Sequence, residues 1–177
     1  VPTPHGQSQY QVRFDWGIPG ASAIGGDADV VVWVDQLGFD ASGSGTDDLE
    51  LPEGGVVLGT IQCRRALADW ALGRQGDLGD RFTIAVVAAG EPRDDGSLRF
   101  AVEDLLAAGA VIDALADVGI DYCSPESAAA ASAYTGLVNA TSHLISSSAS
   151  GQALGRPSIS LDPVDEIVVL REFAASA

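Results

Sequence analysis

Charge-free runs alternate with polar breaks along this chain, and the runs are the length of strands rather than of membrane spans. Phe82-Thr-Ile-Ala-Val-Val-Ala-Ala-Gly90 carries no charge and opens on an aromatic and β-branched residues. Such a run reads as a strand buried on both faces. Asp29-Val-Val-Val-Trp-Val-Asp35 is the strongest strand signal, five β-formers in a row with an acid at each end. Val56-Val-Leu-Gly-Thr-Ile61 predicts a third strand. Tyr10 to Trp16 alternates enough for a strand with one wet face, and Glu166 to Phe173 has the charged ends of a sheet edge. Arg64 to Leu72 reads as a helix with Ala66, Leu67, Trp70 and Ala71 inward, followed by a polar connection over 74–80. The third strand, that helix and the buried strand after it make a βαβ unit.

The segment after the buried strand organises the rest. A polar loop, Glu91 to Ser97, leads into a helix expected over 101–115, with Leu105, Ile112 and Leu115 on one side. Ala107 to Ala110 give it a small, smooth surface that can lie close to a sheet. Glu103 and Asp104 fall in its first turns, where carboxylates complement the helix dipole. The same position lies just beyond the carboxyl end of a buried parallel strand, where open α/β sheets bind ligands. Asp35 is at the end of its own strand; it reads equally as a site acid or as a cap for the following turn.

The remaining segments read as connections and one further helix. Residues 1–9, polar with two prolines, are expected as a poorly ordered tail, and 10–177 as one domain. Gly17 to Gly20 reads as a break, with one or two helical turns over Ala21–Gly25. Gly38 to Gly55, rich in glycine and acids, reads as a surface loop with room for a short strand at Leu49–Leu51. Ser124-Pro-Glu126 starts a helix through Val138 and on to Ile145, and Ser146 to Gly151 breaks that helix or leads into a short one. His143 reads as a surface or helix-end residue. The expected fold is α/β, a mainly parallel central sheet with helices on both faces.

Composition narrows the partners. The 177 residues carry a net charge of −16, a field that repels polyanions and so excludes a nucleic-acid or anionic-membrane surface. A small anionic substrate stays open where Arg or a metal dominates locally. All nine basic residues are Arg. No run reaches the length of a membrane span, and the first residues lack a basic-then-apolar signal pattern. Val1 is not a usual start, so a trimmed chain is expected. Cys63 and Cys123 have no metal-like spacing and read as free thiols, in keeping with a cytoplasmic location. Oligomeric state is not legible.

Several motifs taken together resemble the 2-phosphosulfolactate phosphatase family. They are Val12-Arg-Phe-Asp-Trp-Gly17, Asp29 to Asp35, Ala88-Ala-Gly-Glu91, Arg99-Phe-Ala-Val-Glu-Asp-Leu-Leu-Ala-Ala-Gly109 and Ser148-Ala-Ser-Gly-Gln-Ala-Leu154. The resemblance is scattered over most of the chain and densest in the Gly-Glu, loop, Glu-Asp block. It implies an α/β fold and Mg²⁺-dependent hydrolysis of 2-phospho-3-sulfolactate on the route to coenzyme M. Asp35, Gly90, Glu91, Glu103 and Asp104 would then converge at one end of the sheet. Asp35, Glu103 and Asp104 are hard oxygen ligands suited to Mg²⁺, and would also carry the catalysis. Arg13, Arg65 or Arg99 would clamp the phosphate or sulfonate, since a planar guanidinium matches such oxyanions; each has the alternative of a plain surface charge.

The chain departs from that family where Asp35 continues as Gln-Leu-Gly-Phe-Asp40 rather than Asp-Val-Leu-Arg/Ser. It also lacks the family's Asn-Gly-Thr/Ser tripeptide, and the shortfall in length lies between Asp35 and Val56. Two further readings therefore stand beside the phosphatase: a non-catalytic relative serving as a binding or assembly module, and an enzyme for another small phosphoester or hydroxy acid.

Overall fold

The computed structural model describes residues 4–38 and 50–173. Five strands form the central sheet: β1 (Val12–Trp16), β2 (Val30–Val34), β3 (Gly55–Gly59), β4 (Ile84–Ala88) and β7 (Val169–Arg171). Their order is β1-β4-β2-β3-β7; the first three contacts are parallel and β7 adds antiparallel at the edge. The expected α/β fold with its mainly parallel sheet is what the chain adopts. A two-stranded hairpin, β5 (Glu91–Pro92) and β6 (Leu98–Arg99), stands beyond β4. The helices are α1 (Gly17–Ile24), α2 (Arg64–Leu78), α3 (Val102–Asp117), α4 (Pro125–Leu137), α5 (Thr141–Ser147) and α6 (Ala149–Ala153).

The apolar runs are long because both sheet faces are covered. Val30, Val32 and Val34 with Ile84, Val86 and Ala88 meet the side of α2, α3 and α4. Val31 and Trp33 with Ala85 and Val87 meet Ala21 and Ile24 of α1 on the other face. On the first face α3 carries Gly109 against the Ala130 backbone and the Tyr134 side chain of α4, so the two helices approach as closely as their backbones permit.

Four local expectations are corrected. First, α1 begins at Gly17, not after Gly20. Pro19 sits in its first turn, where a missing N–H costs nothing, and Gly20 leaves room for Asp15, whose Cβ lies 2.8 Å from where a Cβ on Gly20 would stand. Second, α2 runs through the presumed polar connection to Leu78. Gln75 Oε1 accepts from Gln11 Nε2 and the Phe82 N–H, anchoring the last turn from outside, and Gly79 closes it at φ +70. Third, residues 4–9 are tied down rather than loose: the Gln7 amide pairs with both the N–H and the C=O of Phe14, filling one position on the outer edge of β1. Fourth, the long helix expected to Ile145 is instead α4, a 3-10 turn over Val138–Ala140, and α5. Most of the presumed loop at 38–55 lies outside the described residues; Leu51 is not in a strand.

Candidate active site

Topology sets the place. The chain leaves β2 for β3 on one side, and leaves β4 for the other side, returning at Cys123 beside Val12 on the outer edge of β1. The crevice between the carboxyl ends of β2 and β4 is thus the switch point where open α/β sheets bind ligands.

Asp104 spans that crevice. Its Oδ1 accepts the Gln36 N–H, just past β2, at 2.9 Å, and its Oδ2 accepts the Gly90 N–H, just past β4, also at 2.9 Å. Glu103 lies beside it in the first turn of α3. Both are buried, 2 % and 3 % exposed for Glu103 and Asp104. Among the described residues Glu103 Oε2 has no hydrogen-bond partner, an expensive state for a carboxylate oxygen away from water. Asp35 Oδ1 accepts the Gly38 N–H at 2.6 Å, so the turn-capping role holds for it. A Cβ at Gly38 would stand 2.6 Å from both Asp35 oxygens, so a side chain there would displace that carboxylate.

Burial and neighbouring negative charge raise the proton affinity of Asp104 and Asp35. Burial pushes Asp104 up to about 7, with the charges of Asp35 and Glu103 adding to it and the two backbone N–H groups opposing. Burial likewise raises Asp35, the N–H groups of Gly38 and Leu37 oppose it, and the charges of Glu103 and Glu91 reinforce it. Perturbed acids in a crevice mark a functional site. Among the described residues no three His, Cys, Asp or Glu side chains are grouped closely enough to enclose a metal ion by themselves.

Arg99 and Glu91 are directly opposed across the hairpin. Arg99 Nε and Nη2 both donate to Glu91 Oε2, and Nη2 also donates to Ser150 Oγ at 2.9 Å. Burial would raise the Glu91 carboxyl, but hydrogen bonds from Ser150 and Arg99 and the Arg99 charge bring it below its usual range. The Glu91 hydrogen bond raises Arg99, burial opposes that, and the charges of Glu91, Glu103 and Asp104 raise it further. Gly90, at φ +63, has the Arg99 carbonyl and the Leu98 side chain where a Cβ would go, so the hairpin folds down onto it.

Among known proteins the chain matches no family model and no curated sequence.

Asp35, Gly90, Glu91, Arg99, Glu103 and Asp104 are therefore brought to one end of the sheet. Arg13 and Arg65 are not. Arg13, 1 % exposed, lies near the amino end of β1, bonded to the Ile24 and Tyr10 carbonyls and ion-paired with Asp27. It ties α1 and β1 together at the far end. Arg65 is exposed on the first turn of α2, in a groove lined also by Asp69, Asp113, Asp117 and Tyr134.

Sequence reasoning missed Gln36, Gln62 and Ser150. Gln36 Oε1 accepts the Ile61 N–H, its Nε2 donates to Gln62 Oε1, and Gln62 Nε2 donates to the Ser160 carbonyl, bracing the loop after β2. No residue pattern signals that chain. Ser150 was within reach, through the Ser148-Ala-Ser-Gly151 motif: Ser148 caps α6 through the Gly151 N–H, and Ser150 meets Arg99.

A pH effect follows from Asp104. Its carboxyl binds a proton more tightly folded than unfolded, so the stability it contributes is complete below about pH 4 and is lost as pH rises to about 7. Urea midpoints measured from pH 4 to 8 should fall more for the wild type than for Asp104→Asn, with the difference flat above pH 8. Parallel curves would contradict the assignment.

Proposed function

We propose that the crevice is the active site of a divalent-cation-dependent phosphomonoester hydrolase. The observation that carries this reading is the buried, unpartnered Oε2 of Glu103 at the switch point, with Asp35 close enough to feel its charge. A bound cation offsets such charge, and Mg²⁺ takes one or two carboxylates while keeping several waters. Glu103 and Asp35 fit that demand. Asp104, each of whose oxygens accepts one backbone N–H, also holds the two loops at their spacing and keeps a lone pair on each oxygen for a cation.

When bound, Mg²⁺ supplies neutralisation of phosphate charge and a more acidic water. Arg99, held by Glu91 and Ser150, adds a cation beside the acids. Asp35, the half-buried acid of the three, accepts the proton of the attacking water. The water oxygen bonds to phosphorus, the ester P–O bond breaks, and the departing alcohol oxygen takes up a proton from solvent while Asp35 releases its own. The substrate implied by the motif resemblance is 2-phospho-3-sulfolactate, which would place the reaction in coenzyme M biosynthesis. Turnover is expected to be slower than in full-length relatives, since the Asn-Gly-Thr/Ser donors are missing and one such donor is worth about 10²–10³ in rate. A cytoplasmic setting suits the two free thiols, Cys63 and Cys123; among the described residues no helix is long and apolar enough to cross a membrane.

The test is phosphate release from 2-phosphosulfolactate and simple phosphomonoesters, with Mg²⁺ and with EDTA. Release that requires Mg²⁺ is expected. No release from any ester, with no Mg²⁺ binding by calorimetry, overturns the reading. That outcome is the one predicted by a non-catalytic binding or assembly module, a reading favoured by the use of both Asp104 oxygens for holding loops.

A further inference from the structure

We infer that the ester taken by this crevice is an aryl phosphate, its ring lying on an apolar wall formed by Leu98, Phe100 and Trp16. The inference rests on the hydrolase reading alone and sets an aryl ester at that site in place of the sulfolactate ester that the motif resemblance implies.

The wall adjoins the crevice through Gly90. Leu98 Cδ1 lies 2.8 Å from where a Cβ on Gly17 would stand and 2.9 Å from that on Gly90. Gly90 is the residue whose N–H holds Asp104. Phe100 follows Arg99, and its ring is 5.1 Å from that of Trp16, tilted by 42°. Trp16 in turn meets Phe14 edge-on at 5.7 Å, which fixes its plane from below. Phe100 is 55 % exposed and Leu98 41 %. Two large apolar side chains left open beside a polar crevice, with an aromatic ring behind them, match the usual composition of a ligand site: mostly apolar walls and a few convergent polar groups.

The cations point the same way by their positions. A substrate with a sulfonate beside its phosphate needs a second guanidinium. Among the described residues, Arg99 is engaged by Glu91, Ser150 and the Phe100 carbonyl. Arg93 donates to the Leu98 carbonyl and Ser97 Oγ inside the hairpin. Arg13 is at the far end of the sheet and Arg65 in the groove beside α2. Arg156, just past α6, donates to Gln152 Oε1. With these guanidiniums held by their neighbours or set away from the crevice, the half of the substrate remote from phosphorus is offered the apolar surface of Leu98, Phe100 and Trp16. A phenol-type leaving group, with a pKa of about 10, also asks less of a general acid than an alkoxide does.

Non-hydrolysable analogues test this on the intact chain. Phenylphosphonate and methylphosphonate are titrated calorimetrically with Mg²⁺ present. Phenylphosphonate is expected to bind about tenfold tighter, the scale of an aromatic contact plus its burial. Phe100→Ala, at an exposed position, should erase that preference without weakening methylphosphonate, and Phe100→Leu should keep only part of it. Equal binding of the two by the wild type overturns the aryl assignment and leaves the hydrolase reading standing. Binding of neither overturns both. A full preference surviving in Phe100→Ala removes the wall from the site.

Discussion

Glu103→Gln is expected to unfold at a higher temperature than the wild type in EDTA, and to lose Mg²⁺-dependent phosphate release by about 10²–10³-fold. The two effects have one cause. Glu103 is 2 % exposed, its Oε2 has no partner, and its charge raises the proton affinity of both Asp35 and Asp104. Replacing the carboxylate by an amide of the same shape removes that repulsion and offers N–H donors to the neighbouring acids. Relief of an unsatisfied buried acceptor amounts to about 1–3 kcal/mol. The same change removes a ligand for the cation, so added Mg²⁺ should raise the melting temperature of the wild type and leave the variant unmoved. Thermal denaturation with and without Mg²⁺, run beside the phosphate assay, measures both. A variant that is less stable in EDTA and still active would show that Glu103 is held by the fold alone.

Gly109→Ala is expected to lower stability by about 2 kcal/mol or more, although alanine is the better helix former by about 1 kcal/mol. A Cβ at Gly109 would fall inside contact distance of the Ala130 carbonyl oxygen and 2.8 Å from the Tyr134 Cβ. The first obstacle is backbone, so α3 and α4 must move apart, and overpacking of that kind costs about 1–3 kcal/mol before any loss elsewhere. Because α3 carries Glu103 and Asp104, the same shift should weaken Mg²⁺ binding. Gly73→Ala is the control. It lies in exposed helix, a Cβ there meets nothing, and it should stabilise by about 0.5–1 kcal/mol. Urea unfolding of the two variants should therefore move in opposite directions. Equal and small shifts would mean that the α3–α4 approach is looser than the structure has it.

What the residues alone determine about this protein is the set of elements that depend on local pattern. β2 and β4 are legible because a strand buried on both faces must be apolar at every position, as Val30 to Val34 and Ile84 to Ala88 are. α3 is legible because its apolar and small residues recur at helical spacing and its acids fall in the first turn. The end of the sheet where Asp35, Gly90, Glu91, Arg99, Glu103 and Asp104 meet follows from those elements, since strand ends in a parallel sheet share a side.

Tertiary structure alone decides the rest, because it depends on partners distant in sequence. Leu78 is helical where the polar stretch 74–80 suggested a connection, since Gln11 and Phe82 hold Gln75. Arg13 and Arg99 look alike as candidate anion clamps, yet strand register sends Arg13 to Asp27 at one end and Arg99 to Glu91 and Ser150 at the other. Asp104 resembles a metal ligand in sequence. In the fold each of its two oxygens accepts a backbone N–H, from Gln36 and Gly90, 68 and 14 residues away, because the strand order β4-β2 sets those two groups on either side of one carboxylate. A pattern of residue types records which groups a chain has to offer, and only the packed sheet determines which donor each acceptor meets.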